Sequence, residues 1–525
     1  MLVGLLVAAV PIASGADPDD GTARRYVVLF RDGTSEEVAR ALIRSLDART
    51  VRFNAAVGLA TVTSARPDLL TDAMDEDLVQ GVARERIIGR APGIHPRWAP
   101  SDETGSNEVP ARPAAKKKSL AKQQWAMRMI DAGPGRSYDI ERGSQDVLVG
   151  VIDGGVEARH AEIKPSLVRS LSRNFTTDIP HIDGPCSAER DESCEDSAFE
   201  DPGGHGTWVA SSIVAPKDGF GTNGVAPNVG LVNLRAGQDS GYFFLQPVVD
   251  ALTFAGDNGI DVVNMSFYID PWLFNCSDNP DDDEEAQQEQ QTIVEATQEA
   301  LDYARERGVT LIAAEGNFNM DLGDPKRDDF SPNFPPGSEY RRDIDNATCL
   351  SMPAEADGVI SVSALGPSER KAGYSNYGVE QTDISAPGGD PNSGAIDYPR
   401  NQPIAGTSRQ AMKDSRLIDA DGKPKTRSVV RLCRKGKCSY YTYISGTSMA
   451  APHVAGVAAL IVSHFGTEDP DGGMTMDPAE VESRLLDSAV PHDCPNSPRC
   501  EEGADEFNGF YGHGIVNAKR ALKNA

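Results

Sequence analysis

The feature that most constrains this chain is a twelve-residue segment, Ser445–Gly456, in which a serine at a glycine bend runs into small apolar residues. Pro452 is compatible with a helix there, because the first helical turn has no intrahelical partner for the N–H that proline lacks. Unpaired backbone N–H groups at a helix start favour the negative charge that develops when a serine oxygen attacks a carbonyl group. The segment therefore predicts that Ser448 is a nucleophile.

Two upstream segments carry the base and the acid that a serine nucleophile needs. Asp146–Val156 predicts a buried strand that ends in the carboxylate of Asp153, and Gly203–Ala210 predicts a glycine bend entering a helix with His205 at its start. Together with the segment around Ser448, they resemble the catalytic motifs of subtilisin-like serine proteases, the subtilase family, in the family's order Asp, His, Ser. The resemblance implies that Asp153 orients His205 and that His205 takes the proton from Ser448.

A fourth segment resembles the part of the family that holds the oxyanion. The apolar strand Val309–Ala314 is followed directly by Glu315, Gly316 and Asn317. The resemblance implies that Asn317 donates a side-chain N–H to the developing oxyanion, beside the backbone N–H of Ser448.

Each catalytic candidate has an ordinary structural interpretation when it is taken alone. An aspartate after a strand is usually a turn former, a single histidine is usually a surface or satisfied core residue, and Asn317 would be a loop asparagine. The four segments in one order favour the catalytic interpretation. Gly154 and Trp208 depart from the family's usual residues, but neither removes a catalytic group. Gly406–Ser408 repeats the Gly-Thr-Ser triplet without a small-residue helix after it, and we predict a loop at Ser408.

Length and charge restrict the class of protein. A chain of 525 residues is long enough for more than one domain and a sizeable core. Acidic residues outnumber basic ones by 79 to 51, and the resulting formal charge of −28 argues against nucleic acid or an anionic membrane as partner. No apolar stretch after the N-terminus is long enough to span a bilayer.

The N-terminus resembles a secretory signal over residues 1–16. Leu2–Ala13 is apolar, small residues follow, and cleavage is expected after Ala16. The first basic residue is Arg24, so a positive n-region is missing and the true start is expected to lie upstream. A buried strand is the alternative. The signal predicts a secreted, extracellular protein that has no membrane contact once the signal is removed.

Cysteine usage also fits an exported protein with disulfide bonds. The sequence alone does not choose among the many pairings of eight cysteines. Three pairs lie close enough in sequence to clip loops and leave one pair over: Cys186 with Cys194, Cys433 with Cys438, Cys494 with Cys500, and Cys276 with Cys349. No histidine cluster accompanies them, and a zinc site is not expected.

Residues 25–88 predict a small α+β domain. Its expected elements are a strand at Tyr26–Phe30, a helix capped by Ser35 with Val38, Leu42, Ile43 and Leu46 on its apolar face, strands at Thr50–Phe53 and Gly58–Val62, a helix near Asp68–Val79 and a strand near Val82–Ile88. Its pattern and position resemble the inhibitory propeptide of the family, which implies that it acts as an intramolecular inhibitor. Residues 89–122 form a Pro-rich linker, where we expect maturation cleavage because nicking concentrates in exposed, extended segments.

Residues 123–525 alternate buried strands with helical stretches. The clearest strands are Asp146–Ile152, Val229–Leu234, Asp261–Met265, Val309–Ala313 and Val359–Ser363, and the helices include Phe244–Asn258 and Glu284–Arg307. The alternation predicts a doubly wound, mostly parallel α/β sheet with helices on both faces and a site at the carboxyl ends of its strands. By resemblance this is a subtilisin-like catalytic domain, with long loop insertions after Asp153, Asn317 and Gly388.

Catalysis in this family requires no cofactor. Structural calcium is possible because relatives often bind it, but its ligands are unknown. The acidic run Asp281–Glu285 is one candidate. Acidic residues that complement the dipole at a helix start are the better interpretation.

Substrate recognition is expected at two segments. Asn264–Ser266 resembles the strand that binds extended peptide by main-chain hydrogen bonds, and the bulky Phe267 and Tyr268 after it should narrow or reshape the non-prime pockets. Glu315 and Gly316 would lie near the wall of the first specificity pocket. Two hypotheses for Glu315 stay open: it selects basic residues, or it points into solvent.

The sequence therefore predicts a secreted serine endopeptidase, made as a self-processing zymogen, that hydrolyses proteins or peptides through an acyl-enzyme. The alternatives are a dedicated processing protease for one secreted peptide and a non-catalytic, peptide-binding relative. A lipase or esterase is disfavoured, because Ser448 lacks the second glycine of that motif and His205 precedes it.

Overall fold

Seven parallel strands form the central sheet. The computed structural model describes residues 23–84, 87–90 (backbone only), 118–180, 183–188, 192–268, 271–332, 339–469, 472–494, 500 and 507–523. With elements numbered along the chain, the strands in order across the sheet are β17 (Ile384–Pro387), β16 (Val359–Leu365), β12 (Thr310–Ala314), β10 (Val262–Met265), β6 (Leu148–Asp153), β8 (Gly230–Arg235) and β7 (Arg173–Asn174). Every neighbouring pair is parallel.

Helices cover both faces of this sheet. One face carries α4 (His205–Val214) and α8 (Thr447–Phe465), with α9 (Pro478–Asp487), α10 (Ala518–Ala521) and α3 (Trp125–Met129) nearby, and the other carries α5 (Leu245–Asp257) and α6 (Glu284–Glu306). Alternate residues of β6 divide between them: Val149 and Val151 join the first core, and Ile152 joins the second. The predicted doubly wound α/β sheet is confirmed.

The strand order determines where a site can form. Because β12, β10 and β6 are neighbours and parallel, the residues that follow them meet at one edge of the sheet. Those residues are Asp153 at the end of β6, Ser266 after β10, and Glu315–Asn317 after β12. Of the helices in the described ranges, α8 alone is long and apolar enough to cross a bilayer, and 83% of its most apolar stretch is buried inside the protein.

A separate antiparallel sheet precedes the catalytic region. Its order is β2 (Arg49–Asn54), β3 (Leu59–Ser64), β1 (Arg24–Phe30) and β4 (Val79–Arg84), with α1 (Glu36–Ser45), α2 (Leu69–Met74) and the following strand β5 (Ile87–Arg90). As expected, Ser35 caps α1 by accepting a hydrogen bond from the N–H of Val38 at 3.4 Å.

Three details of this unit differ from the expectation. Val38 is 45% exposed, because α1 turns Ala39 and Ile43 toward its core instead. The second helix ends at Met74 rather than near Val79, and β4 begins at Val79. The predicted last strand is two strands, because β5 leaves this sheet and pairs with β9 (Tyr242–Phe244) of the catalytic region.

The N-terminal sheet packs on α5 and α6 through apolar side chains, among them Val27 and Leu29, which join the same buried core as those helices, and through polar contacts. The Asn54 amide donates to the Asp250 carboxylate at 2.7 Å, and Arg52 pairs with the same carboxylate. The Gln80 amide donates to Glu299 at 3.1 Å, and the backbone N–H of Arg84 donates to Glu289 at 3.2 Å.

The loop insertions contain the remaining elements. These are the pairs β11 (Asn275–Cys276) with β15 (Cys349–Leu350), β13 (Arg327–Asp328) with β14 (Arg342–Asp343) and β21 (Thr467–Glu468) with β22 (Met474–Thr475), the sheet β18 (Ile404–Thr407), β20 (Lys437–Tyr443), β19 (Val429–Arg434), helix α7 (Arg409–Asp414), and 3₁₀ turns at Ala121–Gln123, Ser137–Asp139 and Cys186–Ala188. The four disulfides join Cys186 to Cys194, Cys276 to Cys349, Cys433 to Cys438 and Cys494 to Cys500.

The insertion after β12 is organised around one buried arginine. The Arg342 guanidinium donates to the carboxylates of Asp282 at 2.8 Å and Asp328 at 2.6 Å, and all three side chains are fully buried. It also lies 4.6 Å from the ring centre of Trp272. Two buried carboxylates therefore depend on a single cation.

Replacing Arg342 with leucine is expected to lower the free energy of unfolding by about 3–5 kcal/mol, because two buried carboxylates lose their cation. The neighbouring substitution Arg341→Leu is the control. Arg341 and its partner Asp343 are exposed, so a change within about 0.5 kcal/mol is expected. Urea unfolding of both variants measures the difference, and equal losses would contradict the assigned role of Arg342.

Candidate active site

Asp153 and His205 are in direct contact. The Asp153 carboxylate (Oδ2) lies 2.8 Å from His205 Nδ1, and both side chains are buried. The other oxygen, Oδ1, accepts the N–H of Gly154 at 2.7 Å. Burial alone lowers the pKa of His205, but the charge and hydrogen bond of Asp153 and the charge of Asp201 raise it above its ordinary value. Asp153 thereby holds the imidazole ring of His205 in one orientation.

The start of α4 is fitted closely against β6. A Cβ on Gly206 would lie 2.2 Å from the carbonyl oxygen of Gly155, so only glycine allows this approach. The Asp201 carboxylate accepts the backbone N–H groups of Gly204 at 2.6 Å and Thr207 at 2.8 Å, and so closes the first turn of α4. Sequence reasoning missed Asp201. Its signal was an acidic residue just before the glycine bend that leads to His205.

Ser448 is the second residue of α8 and is buried. Its hydroxyl donates to the backbone carbonyl of Ser266 at 3.1 Å, and the Ser266 hydroxyl donates to the backbone carbonyl of Ser448 at 3.0 Å. The Asn264 amide donates to the Ser266 hydroxyl at 2.8 Å. This reciprocal pair fixes the start of α8 against the end of β10.

The Ser448 hydroxyl is therefore not bonded to His205. His205 Nε2 is buried and has no hydrogen-bond partner among the described residues. Transfer of the Ser448 proton to His205 requires the hydroxyl to leave the Ser266 carbonyl. Catalytic hydrogen bonds are often unformed without substrate, and α4 packs against α8, so the two groups remain on adjoining elements.

Asn317 is held by its carbonyl end. Its Oδ1 accepts from the backbone N–H of Thr447 at 2.9 Å and from the Thr447 hydroxyl at 3.1 Å. The same hydroxyl also accepts the N–H of Gly316 at 3.1 Å. Because the Asn317 oxygen is bonded to the start of α8, the amide N–H groups of Asn317 remain as hydrogen-bond donors.

The predicted substrate strand is lined by aromatic rings. Phe267 is buried and stacks on Phe243 of β9, with ring centres 4.3 Å apart, and Tyr268 meets the edge of Phe318 at 5.7 Å. Phe267 therefore packs as a core residue. Sequence reasoning did not identify β9, because its packing against the segment after β10 depends on tertiary structure.

Glu315 corrects one of the two sequence hypotheses. Its side chain is 1% exposed, so the prediction that it points into solvent is wrong. The carboxyl group accepts a hydrogen bond from the Thr382 hydroxyl, and burial holds its pKa well above the ordinary value, which favours the uncharged acid. An uncharged, bonded carboxyl group gives no support to selection of basic residues.

The acidic run Asp281–Glu285 is used within the fold. Asp283 caps α6 by accepting the N–H of Ala286 at 2.8 Å, and Asp282 pairs with Arg342. In the described part of the chain, carboxylate oxygens also converge within 4.8 Å at Asp178, Asp196 and Asp239. Arg235 already bonds to the last two.

The second Gly-Thr-Ser triplet has a structural role. The Ser408 side chain accepts the N–H of Ala411 at 3.0 Å and caps α7, and its hydroxyl donates to the backbone carbonyl of Asp201 at 2.5 Å. Burial lowers the pKa of His160 and of His453 to about 4. These histidines bond to backbone carbonyls and stay neutral.

The family model of the subtilases matches residues 144–514. The chain belongs to the subtilase family. Subtilisin DY of Bacillus licheniformis is 26% identical over 378 residues, which cover 72% of this chain and 91% of that protein. The epidermin leader peptide-processing serine protease of Staphylococcus epidermidis is 26% identical over 362 residues, 67% of each chain. This subtilase is therefore a serine-type endopeptidase.

Solved structures show the same fold. The epidermin leader peptide processing serine protease from Staphylococcus aureus superposes with a TM-score of 0.66 at 21% identity, covering 96% of this chain and 99% of that one. The nisin leader peptidase from Lactococcus lactis gives 0.52 at 22% identity, with 78% and 96% covered. The predicted subtilisin-like architecture is confirmed.

The pH dependence of kcat/KM tests the electrostatics around His205. A base must be neutral to accept a proton and the pKa of His205 is raised, so kcat/KM is expected to fall with decreasing pH at a midpoint above 6.5. Asp201→Asn removes one negative charge that raises this pKa and keeps an oxygen that can cap α4, so the midpoint should move to lower pH.

The control for this profile is Asp257→Asn, an exposed position at the end of α5, which should leave the midpoint in place. The measurement is the rate of peptide hydrolysis from pH 5 to 9 in roughly half-unit steps. A midpoint that does not move in Asp201→Asn would contradict the contribution assigned to that carboxylate.

Proposed function

We propose that this subtilase works through a triad of Asp153, His205 and Ser448 and is made as a secreted zymogen. The observation that carries the proposal is the buried Asp153–His205 contact at 2.8 Å beside a helix whose second residue is Ser448. His205 takes the proton from Ser448 as the hydroxyl oxygen attacks a peptide carbonyl and then gives it to the leaving amine. Water releases the acyl-enzyme in a second step.

Asn317 and the backbone N–H of Ser448 hold the oxyanion in this mechanism. The bonds from Thr447 to the Asn317 oxygen support this role, because they leave the N–H groups to donate. Loss of such a donor costs about 2.7–4 kcal/mol of transition-state stabilisation, a value that was measured on subtilisin itself.

The N-terminal unit is proposed as the intramolecular inhibitor. Its strand β5 pairs antiparallel with β9, with Ile87 opposite Phe244 and Arg90 opposite Tyr242. Phe243 of β9 stacks on Phe267, which directly follows the carbonyl that accepts from Ser448. This pairing supports the role of inhibitor, because it adds the end of the unit to β9 as a strand, in the way that a peptide substrate binds. Cleavage is expected within residues 89–122.

A dedicated processing protease is the second candidate. Relatives include proteases named for processing the epidermin and nisin leader peptides. The half-buried ring of Tyr268, which meets the edge of Phe318 directly after the predicted substrate strand, supports a restricted set of peptides. A cleavage profile across a peptide library separates this candidate from broad use.

Secretion and calcium also belong to the proposal. Four disulfides support an oxidising, extracellular location.

Structural calcium would take carboxylate ligands, and the candidate set is Asp178, Asp196 and Asp239. Arg235 already neutralises part of the charge of this set.

Intact mass and N-terminal sequence of the full chain test the proposal. The wild type should lose residues up to a bond within 89–122, whereas Ser448→Ala should remain a full precursor. Ser408→Ala removes the serine of the second Gly-Thr-Ser triplet and should mature like the wild type. Equal shortening of wild type and Ser448→Ala would contradict self-processing. Two uncut, inactive chains would favour a peptide-binding protein.

A further inference from the structure

A basic segment leads into the reactive serine of a strongly acidic chain. Residues 423–437 carry seven basic and no acidic side chains, although the whole chain has a net charge of −28. We call residues 423–437 the basic hairpin: it comprises the loop before β19, the strand β19, the turn, and Lys437 at the start of β20. The basic residues are Lys423, Lys425, Arg427, Arg431, Arg434, Lys435 and Lys437.

The turn of the basic hairpin is unfavourable for its own stability. Arg434 lies directly opposite Lys437 in the register, and like charges in a cross-strand pair are destabilising. Lys435 has a φ of 51°, in the left-handed region where Asn or Asp before glycine is preferred. The disulfide between Cys433 and Cys438 crosslinks the adjacent pair and holds this turn closed. The stability of the turn therefore does not explain the presence of three cations, Arg434, Lys435 and Lys437, at this turn.

Several of these charges have no counter-charge. Arg434 pairs with Asp218, and Lys423 lies 3.3 Å from Asp421. Four other cations of the hairpin are exposed: Lys425, Arg427, Lys435 and Lys437. Their side chains form no ion pair or hydrogen bond with any residue that the structure describes. The hairpin thus presents four unneutralised positive charges to solvent.

The position of the hairpin relates it to the cleft. β20 ends at Tyr443, and the chain reaches Ser448 five residues later. Trp208 of α4 donates its indole N–H to the carbonyl of Thr442 at 3.0 Å, so this sheet lies on the α4 and α8 side of the molecule. β5 and β9 lie instead with α5 on the other side.

The two sides correspond to the two halves of a substrate. This step rests on the proposed function, in which the N-terminal unit precedes the cut bond and occupies the β9 side as an acyl segment does. The segment that follows the cut bond then leaves toward the basic hairpin. The cations are spread along β20. Arg427 lies near its Tyr443 end, because the N–H of Tyr443 donates to the carbonyl of Ser428, and Lys437 lies at the other end, about 20 Å away, which an extended peptide covers in roughly six residues.

We propose that the basic hairpin binds an acidic segment of the substrate that follows the cleaved bond and extends along about six residues. Lysine and arginine side chains form charge-assisted hydrogen bonds with carboxylates. Contacts between exposed charges are weakened by salt, so this recognition is strongest at low ionic strength. The hairpin selects substrates by charge at a distance from the catalytic groups.

Two fluorogenic peptides test the proposal. They share one cleavage sequence and differ only in the segment that follows the cut, where one carries four glutamates and the other four glutamines. The mature wild type should show a KM about tenfold lower for the acidic peptide at low salt, and the difference should shrink as NaCl is added. Replacing Lys425, Arg427, Lys435 and Lys437 with glutamine should abolish the difference while kcat and KM for the neutral peptide are kept.

The matched control removes four exposed positive charges elsewhere, by glutamine at Arg341, Arg370, Arg520 and Lys523. This control has the same net charge as the hairpin variant and should keep the preference. A wild type without a preference, a hairpin variant that retains it, or a control that loses it equally would overturn the proposal. A second result would also overturn it: the wild type shows no preference between the peptides, but co-sediments with phosphatidylglycerol vesicles and loses this binding in the hairpin variant. That result would assign the surface to a membrane.

The neutral peptide separates this proposal from the proposed function. If the wild type hydrolyses it and Ser448→Ala does not, the proposed triad stands whatever the hairpin does. If wild type and Ser448→Ala hydrolyse it equally, the proposed function fails, and the hairpin proposal fails with it.

Discussion

The close approach of α4 to the carboxyl end of β6 is the constraint on which the rest of the site depends. It places the ring of His205 against the carboxylate of Asp153 at 2.8 Å in a buried setting, where a charge interaction is stronger than in water. Glycine at position 206 permits the approach, and the carboxylate of Asp201 satisfies the helix start. The two hydrogen bonds between Ser266 and Ser448 likewise fix the start of α8 to the end of β10.

The two layers of the molecule divide the work of recognition. The N-terminal unit packs on α5 and α6 through buried apolar side chains such as Val27, Leu29 and Leu59, and polar contacts such as that between Asn54 and Asp250 add to this interface. Its last strand reaches the cleft by pairing with β9. The opposite layer carries the disulfide-closed basic hairpin. In the proposed function, a substrate chain binds beside β9 before the cut bond and reaches the basic hairpin after it.

Local motifs carried most of what the sequence predicted. Alternating buried strands and helices gave the doubly wound sheet, and glycine bends beside Asp153, His205 and Ser448 marked the positions that the sheet edge brings together. Tertiary contacts escaped prediction because no local pattern encodes them. The Ser266 carbonyl as the partner of Ser448 and the burial of Glu315 against Thr382 both depend on residues that are distant in sequence. The cap by Asp201 is local, and its signal was the acidic residue before the glycine bend.

Reaction of the mature protein with a fluorophosphonate tests the central claim most directly, because only an activated serine forms the covalent adduct. Peptide mapping by mass spectrometry should find one adduct, on Ser448, and none on Ser408, which shares the Gly-Thr-Ser triplet. His205→Ala should abolish labelling by removing the base. Labelling at another serine, or undiminished labelling of Ser448 in His205→Ala, would contradict the account.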